Sequence, residues 1–331
     1  MGWAGQRATA QLGGLVGVLV LAGGLQGCAV FTMPPQTAAL ALQTPADLPR
    51  QHELVAVPFY PQTPYHCGPA ALATVLAQAG LAADVLALGD AVFLPAREGS
   101  LQLEMIAGAR RYGAVATQLP GELSALLREV AAGNPVVVLQ NLGLSFAPSW
   151  HYAVLVGYDL DTAELVLRSG TIQRERLSLR TFEHTWARSG HWAITALAPG
   201  QWPATATEAQ AQSAAVGFER AAPPAQAAVV YRSLLARWPG NLVSGIGLGN
   251  ALQAAGDLPG AAVAFSAMGE RHDSAVAWNN LARLQLDRGE VRLALVSAEK
   301  AAARAAQAEP LWLPATTETL GLARAAVAAR P

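Results

Sequence analysis

Two side chains in this sequence have the types and the neighbours that amide chemistry through a thiol requires. Cys67 stands in His66-Cys67-Gly68-Pro69, directly before Ala70-Ala71-Leu72-Ala73-Thr74-Val75-Leu76. That run holds strong helix formers, Pro69 suits a first helical turn and Gly80 is a stop, so a helix is expected to begin at the cysteine. A helix N-terminus offers unpaired N–H groups and the positive end of its dipole, which favour thiolate over thiol. A nucleophilic cysteine also needs a base. His151 opens the run Trp150-His151-Tyr152-Ala153-Val154-Leu155-Val156-Gly157-Tyr158-Asp159, which reads as a core-bound strand. A histidine at such a strand end, facing the helix N-terminus, would take the thiol proton and return it to a leaving group.

The elements that must position this pair are legible around it. Val55 to Phe59 reads as a strand before the cysteine, and Pro135 to Gln140 as a buried strand before the histidine. Leu101 to Tyr112 and Gly121 to Ala132 read as helices, while Leu177 to Trp186 and His191 to Ile194 read as the closing strands and their connection. Arg174, Glu175 and Arg176 are expected on a solvated strand face rather than as a substrate clamp. From about Glu208 the composition changes to Ala and Leu with almost no β-branched clusters. Two domains are therefore expected, at 51–200 and 208–331.

The second of these repeats itself. Leu248 to Gly256-Asp257 is followed by Ala261 to Phe265, and Leu281 to Gly289-Glu290 by Leu293 to Val296. This spacing, with Gly256 and Gly289 in equivalent places, resembles the tetratricopeptide repeat. Tyr231, Leu234 and Trp238-Pro239-Gly240-Asn241 look like the end of a preceding repeat. The resemblance implies a short helical stack whose concave surface takes a peptide or a protein partner.

The front of the chain reads as an address. Arg7 precedes an apolar stretch, Leu12 to Leu25, that is shorter than the roughly 20 residues needed to cross a bilayer core. Leu25-Gln26-Gly27-Cys28 resembles the lipobox of bacterial lipoproteins. By that resemblance 1–27 is a signal peptide and Cys28 is lipidated, anchoring the protein to a membrane. Ala29, rather than Asp, after the cysteine favours the outer membrane, with the protein facing the periplasm. Residues 28–50, with Pro34-Pro35 and no clear periodicity, are expected to be a tether.

Gln62, Cys67-Gly68-Pro69-Ala70-Ala71 and the His151-Tyr152-Ala153-Val154 strand together resemble the papain-like cysteine peptidases of the bacteriocin-processing type, which cleave double-glycine leader peptides. The resemblance spans Leu54 to about Leu197. It implies an α+β fold, a helical half bearing the cysteine and an antiparallel sheet bearing the histidine. By it Cys67 is the nucleophile, His151 the general base and acid, and Gln62 the side-chain donor of the oxyanion hole. The family orients its histidine with an Asp, usually followed by Pro. Here the corresponding stretch is Glu164-Leu165-Val166-Leu167-Arg168-Ser169-Gly170, in which Ser169 takes that place. Asp159, Asp161 and Asn141 are the other polar residues near the histidine in sequence.

Other chemistries find little footing. The chain of 331 residues is 52% hydrophobic with a net charge of -1, which argues against disorder and against a global field for nucleic acid. Lys300 is the single lysine and lies in the repeat region, so a Schiff base or a phosphate loop has no suitable residue. His66, Cys67, His151, His184 and His191 do not have the compact spacings of structural zinc. No cofactor or metal is implied, and no two carboxylates are marked as a glycosidase pair. The expected architecture is an α+β papain-like cysteine peptidase domain followed by an all-α tetratricopeptide-like helical repeat domain. The expected activity is amide hydrolysis through a thioester on a protein or peptide substrate. A catalytically degenerate binding scaffold and an acyltransferase using the same pair are the alternatives.

Overall fold

The computed structural model describes residues 33–61 and 66–329. The signal segment, Cys28 and Gln62 lie outside the described residues. In the first half the elements run α1 (Pro35–Leu42), β1 (Gln51–Glu53), α2 (Cys67–Gln78), α3 (Val85–Val92), α4 (Gln102–Arg111), β2 (Val115–Gln118), α5 (Leu123–Ala131), β3 (Val136–Asn141), β4 (Trp150–Asp159), β5 (Glu164–Ser169), β6 (Ile172–Ser178), α6 (Leu179–Ala187) and β7 (Ala193–Leu197). The strands form one antiparallel sheet in the order β2-β7-β3-β4-β5-β6, and β1 pairs with the far end of β4 where β3 has stopped.

The sheet is covered on both faces, and the sequence of β3 shows why. Val137 and Leu139 point to one side, where Leu72, Leu76, Leu88 and Met105 of α2, α3 and α4 cover them together with Tyr152, Val154 and Ile194. Val136 and Val138 point to the other, against Leu126, Phe182 and Trp186 of α5 and α6. A strand buried on both faces needs a continuous apolar run, which Val136-Val137-Val138-Leu139 supplies.

Three expectations are corrected. Leu177 to Trp186 is not strand throughout: from Leu179 it is α6, because Leu179, Phe182 and Trp186 recur at helical spacing and the Ser178 side chain caps the backbone N–H of Thr181. Val55 to Phe59 is irregular and the strand lies earlier, at β1. The carbonyls of Val55 and Val57 are instead taken by the guanidinium of Arg168. The stretch 28–50 is not a free tether from Pro35 onward. Leu40 and Leu48 are buried, and the Glu183 carboxylate accepts the N–H groups of Gln36 and Thr37 at 2.9 and 2.6 Å and the Thr37 hydroxyl at 2.6 Å. A buried carboxylate satisfied by three donors is a strong clip.

The second half is all helical: α7 (Glu208–Glu219), α8 (Pro224–Arg237), α9 (Leu242–Ala254), α10 (Leu258–His272), α11 (Ala275–Asp287), α12 (Val291–Gln307) and α13 (Leu313–Ala328). Gly256 and Gly289, the residues that marked the repeat, occupy the α9–α10 and α11–α12 turns with φ of +85° and +72°, a conformation that favours glycine. The two halves meet along β2, whose Val115 packs into the core of the helical half beside Ala211, Ala214 and Ala215 of α7, and α5 secures the link between them. Its buried Glu129 accepts the N–H groups of Ala204 and Thr205 and the Thr205 hydroxyl, fixing the connection just before α7.

Candidate active site

Cys67 is the first residue of α2, and Gly68 explains how closely that helix end is held. A Cβ on Gly68 would lie 2.5 Å from Ser100 Oγ and 2.8 Å from Ser100 Cβ, so only glycine lets the helix start approach this loop. Ser100 in turn receives a hydrogen bond on its carbonyl from the Tyr152 hydroxyl, 3.2 Å away, and the Tyr152 ring packs edge-on against Trp192. The residue after the histidine and the residue after the cysteine are thus joined through one serine. On the other side His66 stacks on Phe93, with ring centroids 5.1 Å apart.

The thiol is half-buried. Burial pushes its pKa up, against the backbone N–H groups of Tyr152, Gly68 and Cys67 itself, which favour the thiolate. The expectation that the helix start would by itself favour thiolate is therefore corrected: the N–H groups are there, and desolvation outweighs them. The Tyr152 N–H is informative for another reason, because it puts the sulfur against β4 beside His151.

His151, the second residue of β4, has its Nε2 2.9 Å from the hydroxyl of Ser169, the last residue of β5. Burial lowers the imidazole pKa, and the charge of Glu175 on β6 opposes that shift. Of the four residues considered as its partner, Ser169 alone contacts the ring among the described residues. Asn141 instead accepts the N–H groups of Gly143 and Ser149 and ties off the β3–β4 hairpin. Asp159 accepts those of Asp161 and Thr162 in the β4–β5 turn, and Asp161 pairs with Arg50 at 2.6 Å.

A serine differs from a carboxylate at this position in more than charge. A carboxylate can only accept, so it forces Nε2–H and leaves Nδ1 free to take a proton; a hydroxyl can donate or accept and permits either tautomer. Both shifts favour the uncharged forms, thiol and neutral imidazole.

Two features escaped the sequence reading. Arg168, 4% exposed, donates to the carbonyls of Val55, Val57 and Gln173 and so pins the segment leading toward Gln62. Its signal is a strand position whose alternation turns an arginine inward. The β3–β4 hairpin carries Leu142, Leu144, Phe146 and Trp150, all exposed, with Phe146 at 85%. Arg188 holds it by donating to the carbonyls of Asn141 and Gly143. The apolar rim therefore ends at Trp150, next to His151. Arg174 and Arg176 form exposed ion pairs with Glu53 and Glu164, as a solvated strand face requires.

Residues 54–194 match the model of the Peptidase_C39 like family. No curated protein matches the chain. Among solved structures it is similar to a C39-like peptidase from Bacillus anthracis, at 21% identity over 45% of this chain and 98% of that one, with a TM-score of 0.37. It is also similar to the peptidase domain of Streptococcus ComA, a bifunctional ABC transporter of a quorum-sensing pathway, at 19% identity over 43% and 98%, with a TM-score of 0.36. A third likeness is to the TPR2B-domain:pHsp70 complex of yeast Sti1, at 16% identity over 35% and 95%, with a TM-score of 0.33. The chain thus joins a C39-peptidase-like α+β half of papain-like fold to a helical half.

Proposed function

We propose that this chain is a cysteine peptidase held at the cell envelope, hydrolysing an amide bond through a thioester. The observation that carries the reading is a helix-start thiol held against the N–H of Tyr152, the residue next to His151, whose imidazole is itself held by Ser169. In the reaction Cys67 Sγ attacks the scissile carbonyl while its proton passes to His151. The oxyanion is met by the Cys67 backbone N–H and, in the resemblance, by the Gln62 amide. The C–N bond breaks as His151 protonates the leaving amine. Water, deprotonated by His151, then attacks the thioester, the C–S bond breaks and the acid leaves. The exposed apolar hairpin beside His151 supports a peptide with bulky apolar side chains as substrate. Cys28 as a lipid anchor, with the protein facing the periplasm, and a peptide or protein partner on the helical half complete the proposal.

One observation favours a second reading. A raised thiol, a lowered imidazole and a neutral orienting residue also suit a binding scaffold that has lost turnover. The deciding experiment is the rate of Cys67 alkylation across pH 4 to 9 in the full chain, beside His151→Ala. A working pair gives at pH 7 a rate at least ~10-fold above the variant, switching on below the usual imidazole value of 6.5 because burial keeps His151 neutral to lower pH. Identical profiles in both proteins would leave the scaffold.

A further inference from the structure

Away from the thiol, α4 presents a second unusual group. The Arg110 guanidinium lies against Gly217 of α7, where any Cβ would overlap its Cζ and both Nη atoms. Its Nε is buried without a hydrogen-bond partner, and among the described residues no carboxylate pairs with it. The charge it does feel is that of Arg220, of the same sign. A buried N–H on a charged group left without an acceptor is costly, and native structures rarely leave one so.

Beside it opens a cleft of about 280 Å³ between α4, β2 and α7, lined by Arg110, Ile106, Ala116, Gln118, Gln210 and Ser213. Each polar group there can donate. The Gln210 Oε1 is already taken by the N–H and hydroxyl of Thr207, which leaves its Nε2 to offer. A planar carboxylate suits this set: two oxygens for one guanidinium, further donors from amide and hydroxyl groups, and an apolar wall for an aliphatic stem.

We propose that this cleft between the two halves is a carboxylate-binding site, with Arg110 as its charged anchor. A peptide C-terminus and a small free carboxylic acid share that chemistry. The site stands on residues separate from Cys67 and His151 and does not depend on their activity.

The test is calorimetric titration of the full chain with N-acetyl-trialanine bearing a free carboxylate, the same peptide as its C-terminal amide, acetate, and inorganic phosphate. Saturable binding of the free-carboxylate peptide, at least ~10-fold weaker for the amide and lost in Arg110→Gln, is expected. Acetate binding as tightly as the peptide would support the site and identify a small acid as its ligand. A second variant guards against an Arg110→Gln protein that does not fold: Gln118→Glu supplies a carboxylate from within the cleft, and should raise the melting temperature while abolishing titration. The proposal is overturned if no carboxylate binds, if the amide binds as well as the acid, if phosphate alone binds, or if both variants titrate like the parent.

Discussion

The two halves of the molecule use the missing side chain of glycine for different ends. At the start of α2, Gly68 lets a helix end close onto Ser100, and what that closeness positions is a thiol. In the helical half, α9 carries Gly245, Gly247 and Gly249, and a Cβ on each would overlap Met268, Tyr231 and Phe265 respectively. Gly269 of α10 seats the Trp278 ring in the same way. Three glycines in one helix lower its intrinsic propensity by about 1 kcal/mol each relative to alanine. Insertion of two aromatic rings and a methionine offsets this. The same local device therefore positions a thiol in one half and provides cohesion in the other, and substitutions should separate the two.

The largest effects should fall on the pair itself. Cys67→Ala and His151→Ala are each expected to lower peptide hydrolysis by ~10³-fold or more with little change in melting temperature; a variant retaining a tenth of the activity would sink the assignment. Next, Gly249→Ala should destabilise the helical half by about 1–3 kcal/mol through overpacking against Phe265, read by urea denaturation, yet leave the alkylation rate of Cys67 unchanged. Gly68→Ala should do the reverse, costing about 10²-fold in kcat through misplacement of the sulfur with a smaller change in denaturation midpoint. Equal loss of thiol reactivity in both glycine variants would break the comparison.

A smaller effect sharpens the first half alone. Ser169→Asp restores an acceptor-only partner and a charge, and should raise the imidazole pKa and speed alkylation of Cys67 at neutral pH by ~10-fold. Glu175→Gln should shift the His151 titration further down, since its charge now holds that pKa up. NMR titration of the ring would read both.

The smallest effect is the dependence of stability on pH. Folding depresses the His151 pKa, so the unfolded chain binds a proton more readily and this contribution is lost as pH falls below 6.5. Folding raises the Cys67 pKa, so its contribution is present at neutral pH and lost as pH rises above 9.0. Denaturation midpoints from pH 5 to 10 should fall at both ends, and Cys67→Ala should remove the alkaline part of the loss.

How much of this could be read from the chain depends on where each signal resides. The places of Cys67 at a helix start and His151 at a strand start were legible because each stands beside an unambiguous helix or strand run. Ser169 became visible through the resemblance alone, since a serine at a strand end carries no pattern of its own. The α4 and α5 helices followed from apolar spacing, whereas α6 was hidden because Leu177 to Trp186 mixes a strand end and a helix across the Ser178 cap. Arg168 and Arg110 were missed for a common reason: both take their meaning from carbonyls or cavities supplied by segments distant in sequence. The docking of 35–50 was missed likewise, its decisive partner Glu183 lying 146 residues from Thr37.

That docking sets a leash. Gln36 is already clipped to the face made by α5 and α6, so with a lipid on Cys28 the span between bilayer and clip is eight residues, which at full extension reach roughly 28 Å. The sheet lies between that face and the α2 helix. A protein so tied would ride close to its membrane with the thiol side turned outward, meeting substrates that diffuse past the surface rather than those embedded in it.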